Sequence, residues 1–312
     1  YVIYVYDSRT MKCIKQKKFL SVTHNRELFN SVEISPDDKY LIVGDIFNAI
    51  SAYPLYENEE KKKIVLGSLF SAVTNHDKCP QIVADPQKKY LVVVFPYDAN
   101  VVFFSTDTLK EKFKISIPDV KYCEYINHLF FSPSGQYLAI CVFATIHILD
   151  VDKKTILRSR TWDSEKCKLK RQECKFIIYH SEICMLLKYE TKDEKYSSYN
   201  VILWSFFLNT DILKLKGDSY REIYDCFEDI ILFRSFNGIQ LANINKKNNK
   251  FLFEEKLYGS PNVQNAIYST NGLYLIIYSR THVQIWDSGN LHLIFEVNFQ
   301  DLISSVLCTS EN

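Results

Sequence analysis

A phrase that returns at a near-constant interval limits this chain more than any other feature. It reads Ser35-Pro36-Asp37-Asp38-Lys39-Tyr40-Leu41, then Asp85-Pro86-Gln87-Lys88-Lys89-Tyr90-Leu91. It comes again as Ser132-Pro133-Ser134-Gly135-Gln136-Tyr137-Leu138 and as Ser269-Thr270-Asn271-Gly272-Leu273-Tyr274-Leu275. Tyr40 and Tyr90 are 50 residues apart and Tyr90 and Tyr137 are 47 apart; Tyr137 to Tyr274 is 137, close to three more steps. A period of this size marks repeated supersecondary units that bury their apolar surface against one another.

Each unit has the same internal order. A short apolar run, such as Val32 to Ile34 or His128 to Phe131, precedes the phrase. The phrase itself carries the Pro, Asp, Asn and Gly that tight turns select. A nearly unbroken hydrophobic run follows, for example Tyr90 to Phe95 and Tyr137 to Phe143. A strand apolar on both faces needs a cover on both faces. A third run ends in an aromatic residue or Asp: Val2 to Asp7, Ile146 to Asp150, Val201 to Trp204, and Val283 to Asp287. The fourth run interleaves charge, as in Leu109-Lys110-Glu111-Lys112-Phe113-Lys114-Ile115, which suits a solvated sheet edge. Tyr137 to Asp150 and Tyr274 to Asp287 are both 13 residues, so the phase inside the unit is kept as well.

On the Ser-Pro-Asp-like turns, the Tyr-Leu strand starts and the third strand closing in Trp286-Asp287, the chain resembles a WD40-type β-propeller. The resemblance covers essentially the whole chain and implies radial four-stranded blades. Asp7, Asp150, Trp286 and Asp287 are the residues of the structural repeat. Only one third strand closes in Trp-Asp, and no Gly-His dipeptide occurs, so the family's hydrogen-bond pattern is expected in few blades. Two weaker middle units run over Cys174 to Phe207 and Tyr220 to Asn243. The tail Leu302 to Cys308 reads as the opening of a further unit, and the head, Val2 to Asp7 and Met11 to Lys18, reads as its third and fourth strands. The expectation is an all-β, seven-bladed propeller of four-stranded antiparallel blades, closed by both termini, with 1–312 as one domain of a longer chain. Eight or more blades is the rival count.

Composition narrows the chemistry. The 38 basic and 37 acidic side chains give a formal net charge of +1, unlike a dedicated nucleic-acid binder. Nine cysteines are scattered without a compact framework, which fits reduced buried thiols and a cytoplasmic or nuclear setting. The longest apolar stretch, Tyr137 to Leu149, falls short of the roughly 20 residues a membrane-spanning helix needs.

No catalytic constellation stands out. Gly217-Asp218-Ser219-Tyr220-Arg221 lacks the second Gly of a nucleophile elbow, and no phosphate-binding Gly loop is present. Cys167, Cys174 and His180 do not match zinc-ligand spacing, so no metal and no cofactor is expected. The segment Asp163 to Lys175 is basic, with Lys166, Lys168, Lys170, Arg171 and Lys175. As a connection between blades it shares a face with the loop Thr191 to Tyr199, which carries Lys192, Lys195 and Tyr196. Loops on a rigid scaffold are where binding usually sits. These eight residues are the candidate partner-binding set.

The reading is therefore a non-catalytic protein-interaction scaffold or adaptor, a subunit of a larger eukaryotic assembly, with other proteins as partners. The alternative is a reader of an anionic ligand, a phosphoinositide, phosphopeptide or RNA, through the basic loop. The paired-arginine motif of phosphoinositide-binding propellers has only a single-Arg counterpart here, Phe233-Arg234-Ser235-Phe236.

Overall fold

The fold is described from a computed structural model. It describes residues 2–6, 13–18, 29–35, 37, 39–45, 50–55, 62–64, 80–95, 99–118, 126–142, 145–162, 173–179, 182–192, 197–217, 223–227, 230–235, 238–245, 250–257, 263–269, 272–300, 303 and 306. Among these every regular element is a strand. The chain divides into two compact units, Tyr1–Leu129 and Phe130–Asn312.

The first unit opens with an antiparallel ribbon of β1 (Val2–Tyr6) and β2 (Cys13–Lys18). One four-stranded blade follows, β3 (Phe29–Ile34), β4 (Tyr40–Asp45), β5 (Ile50–Pro54) and β6 (Lys62–Ile64). The next is β7 (Gln81–Ala84), β8 (Tyr90–Val94), β9 (Asn100–Ser105) and β10 (Glu111–Ser116).

The division between units falls inside β11 (Ile126–Phe131), which heads the blade completed by β12 (Tyr137–Val142), β13 (Thr145–Asp150) and β14 (Thr155–Thr161). Then come β15 (Glu173–Tyr179), β16 (Glu182–Lys192), β17 (Ser197–Ser205) and β18 (Thr210–Gly217). The fifth blade is β19 (Ile223–Phe227), β20 (Ile230–Ser235), β21 (Gly238–Asn245) and β22 (Lys250–Leu257). The sixth is β23 (Asn265–Tyr268), β24 (Tyr274–Tyr278), β25 (His282–Asp287) and β26 (Leu293–Asn298).

Every blade is an antiparallel meander in chain order. The described residues thus hold six four-stranded blades and one two-stranded ribbon, where the sequence pointed to seven blades. The ribbon pairs the two segments expected as a third and fourth strand. Of the tail expected to open its blade, Ile303 and Val306 are described and lie outside any strand; the Ile303 N–H donates to the Arg280 carbonyl.

The recurring phrase is a stapled turn. The first residue's N–H donates to the carbonyl of the Tyr five positions on: Ser35 to Tyr40, Asp85 to Tyr90, Ser132 to Tyr137 and Ser269 to Tyr274, at 2.8–2.9 Å. The Ser hydroxyl oxygen accepts the same Tyr's N–H at 2.8 Å (Tyr40), 3.0 Å (Tyr137) and 2.9 Å (Tyr274). Asp85 does related work with a carboxylate, accepting from the Gln87 N–H at 2.9 Å and the Lys89 N–H at 3.2 Å. All four side chains are buried, so each bond satisfies a backbone group that water cannot reach. The fourth turn residue is left-handed, with φ 71° at Gly135 and Gly272 and 62° at Lys88.

The kept phase is strand register: Tyr137 faces Asp150 and Tyr274 faces Asp287 across the second and third strands. Four third strands then leave through one kind of turn. Its left-handed residue lies four positions after the strand's last residue: Leu109, Lys154, Asn209 and Leu291, at φ 54–56°. The strand's last side chain accepts the N–H three positions on, Lys153 to Asp150 at 3.0 Å, Leu208 to Ser205 at 3.2 Å, and Asn290 to Asp287 at 3.0 Å. A bulge beside each of these turns re-aims the outer strand.

Blades stack through their apolar faces. In the first unit Ile42, Ile50 and Ala52 pack with Leu91, Val93 and Phe104. In the second, Ile148 and Cys141 pack with Met185, Trp204 and Phe206, and the series continues blade by blade. This is propeller-type packing, and each fully buried side chain contributes roughly 1.5–3 kcal/mol. A polar lock joins two outer strands: Arg160 of β14 forks onto Asp211 of β18 at 2.5 and 3.2 Å. The guanidinium also lies 5.0 Å from the Trp162 ring and 5.3 Å from that of Trp204.

Candidate functional site

A blade's innermost strand is a sheet edge. Its N–H groups that face away from the second strand need acceptors from elsewhere. At two junctions between blades the preceding blade supplies them.

In the first unit, the β3 hydroxyl of Ser31 accepts the Ile82 N–H of β7 at 3.0 Å. Glu33, two residues on and on the same side of β3, accepts the Ala84 N–H. It also accepts the Ile34 N–H at 3.2 Å. Alternate residues of one strand thus meet alternate donors of the next. Burial lifts the Glu33 carboxyl from its ordinary 4.5 to about 7, and the two N–H bonds only partly oppose this.

In the second unit the seam spans three blades. The Asp225 carboxylate of β19 reaches back to the Lys175 ammonium of β15 at 3.2 Å. Its other oxygen accepts the Tyr268 N–H of β23 at 2.9 Å. The next residue, Cys226, donates its thiol to the Phe176 carbonyl of β15 at 3.2 Å. Asp225 is mostly buried, and Lys175 is 39% exposed. The Asp225 charge raises the Lys175 ammonium and more than offsets desolvation. Burial, then the Asp225 charge, pushes both the Cys226 thiol and the Tyr268 phenol up, so both stay protonated across the neutral range.

These residues carry charge next to a nucleophile type, yet the Cys226 proton is held and the Asp225 oxygens are occupied. The arrangement fixes one blade against the next. It offers neither a thiolate nor an open carboxylate.

The expected site residues fall differently. Lys166, Lys168, Lys170 and Arg171 lie outside the described residues, as do Lys195, Tyr196 and Asp7. Lys175 does not belong to the connecting loop: it is the third residue of β15 and is neutralised by Asp225. Lys192 is the last residue of β16. Lys175 thus sits on a strand and is paired across the seam, not on the connection itself. Asp150 and Asp287 hold the turns after their third strands, and the Trp286 indole N–H donates to Gln284 at 3.3 Å. Burial would raise Asp150, but the N–H and ammonium of Lys153 hold it below the ordinary carboxylate value.

His147 is a structural histidine, its Nδ1 2.8 Å from the Ser159 hydroxyl across β13 and β14. Cys174 of the Cys167–Cys174–His180 cluster lies against Cys141; the other two lie outside the described residues. Among the described residues no group of three or more His, Cys, Asp or Glu could hold a metal. Among the described residues no helix is long and apolar enough to cross a membrane.

Sequence reasoning missed Glu33 and Asp225. The available signal was a single acidic residue within an apolar innermost run, Val32-Glu33-Ile34 and Tyr224-Asp225-Cys226.

Glu33 gives a pH test. Its folded value lies above its unfolded value, so the folded state prefers the proton. That stabilisation is whole below about pH 4.5 and is lost as pH rises through about 7. A shift from 4.5 to about 7 corresponds to about 3 kcal/mol at most. Urea unfolding at pH 5 and pH 8 should show the wild type losing stability with pH relative to Glu33→Gln, which keeps an acceptor for Ala84. Parallel pH profiles would remove Glu33 from that role.

No family model matches the chain, and no curated protein matches it.

Proposed function

We propose that the chain is a WD40-type propeller whose β1–β2 ribbon is the outer half of a seventh blade, closed by both termini. On this reading it works as a non-catalytic protein-interaction scaffold, a subunit of a larger eukaryotic assembly in the cytoplasm or nucleus. The observation that supports this most is the engagement of the innermost charged groups. Glu33, Lys175 and Asp225 are all bonded to a neighbouring blade, which stiffens the stack and leaves binding to the connections between strands. The connection from β14 to β15 holds Lys166, Lys168, Lys170 and Arg171 and is the favoured contact.

Pairing of Lys175 with Asp225 lowers the charge available to an anionic ligand, so a protein partner is preferred over a lipid headgroup or RNA. The test is an affinity capture from native lysate with the wild type and with all four basic residues changed to Ala. Loss of specific companions in the variant, at constant salt, supports the assignment. The same companions on both proteins would move the interface off that loop, and no companions on either would overturn the scaffold reading. Capture of nucleic acid or acidic lipid with steep salt dependence would favour the anionic reader.

A further inference from the structure

Two thiols from different blades meet in the second unit. Cys141 lies in the second strand of one blade, opposite Ile146, and Cys174 lies in the first strand of the next, opposite Leu187. Their sulfurs are 2.9 Å apart although the residues are 33 positions apart in sequence. That separation is less than about 1 Å beyond a disulfide bond of about 2.05 Å. Both side chains are buried in one apolar cluster with Ile148, Phe176, Met185 and Trp204.

We propose that Cys141 and Cys174 are a redox-convertible pair, which a peroxide joins into a disulfide stapling the β11–β14 blade to the β15–β18 blade. One sulfur attacks the peroxide oxygen and becomes a sulfenic acid, and the first water leaves. The second sulfur attacks it, the S–S bond forms, and the hydroxyl departs as a second water with the remaining thiol proton. Two thiols are oxidised by two electrons and one peroxide is reduced. Burial keeps the Cys141 thiol protonated, so the rate is set by partial parting of the two blades. The closed loop contains β13, β14 and the connection carrying Lys166 to Arg171, so the bond anchors that connection two residues past its end.

The test treats the native full chain with hydrogen peroxide, blocks remaining thiols, and maps peptides without reduction. Exposed Cys13 reports that the oxidant has acted. The expected product is a Cys141–Cys174 linked peptide that reduction separates. Tm should rise on the order of 5–10 °C in the wild type and stay unchanged in Cys141→Ala treated alike. Should the variant not fold, the wild type with and without reductant gives the same comparison. Alkylatable Cys141 and Cys174 after Cys13 is oxidised would overturn the proposal. So would pairing to Cys184, or a linked peptide found only after unfolding.

Discussion

Replacing Asp225 with Ala is expected to lower the unfolding free energy by about 3 kcal/mol. Two losses combine. The Tyr268 N–H loses its acceptor, which costs about 1–2 kcal/mol at a poorly solvated strand edge. The Lys175 ammonium loses its counter-charge at 3.2 Å. A fully buried pair broken on one side costs about 3–5 kcal/mol, but Lys175 is 39% exposed and can turn toward water, which holds this part to about 1–2 kcal/mol. Asp225→Asn keeps an acceptor for Tyr268 and should cost about half as much. Chemical denaturation of the single variants and the Asp225→Ala, Lys175→Met double variant separates the two parts. If the single costs simply add, the ion pair contributes nothing and Lys175 does not help hold the seam.

Gly272→Ala is expected to cost about 4 kcal/mol, from two independent sources. At φ 71° a Cβ meets its own backbone, for about 1–2 kcal/mol. That Cβ would also land inside the Phe227 ring of the preceding blade, an overlap that backbone movement must relieve at about 1–3 kcal/mol. Phe227 is confined in turn by Tyr268, whose ring centroid is 5.8 Å away. A companion Phe227→Leu change should recover the overlap part and leave the backbone part. An Ala variant with wild-type denaturation midpoint would show that this turn is not held in its left-handed form.

Much of the blade was legible from local pattern. Ser35, Asp85, Ser132 and Ser269 announce the stapled turn because donor, acceptor and strand start lie within five residues. The 13-residue spacing from Tyr137 to Asp150 is a register pair, set by a short hairpin. The seam was not legible in the same way. Asp225 meets partners 50 residues back and 43 residues on, and only the stacking of blades brings them together. Lys175 read as part of a basic loop because sequence cannot tell a loop cation from a strand residue facing a carboxylate. The turns at Leu109 and Lys154 were hidden for another reason: they take the left-handed conformation without Gly or Asn, so composition gave no mark.

The bonds that side chains make to strand-edge N–H groups have a direction. Ser31 and Glu33 serve the blade that follows theirs, and Asp225 likewise serves Tyr268 ahead of it. Successive sheets are therefore not interchangeable tiles. Exchanging two neighbours would keep each meander intact yet misalign every donor and acceptor where they meet. Drift in such a chain can erase most of the repeating text and still conserve the order of its parts, because that order is written in the joints.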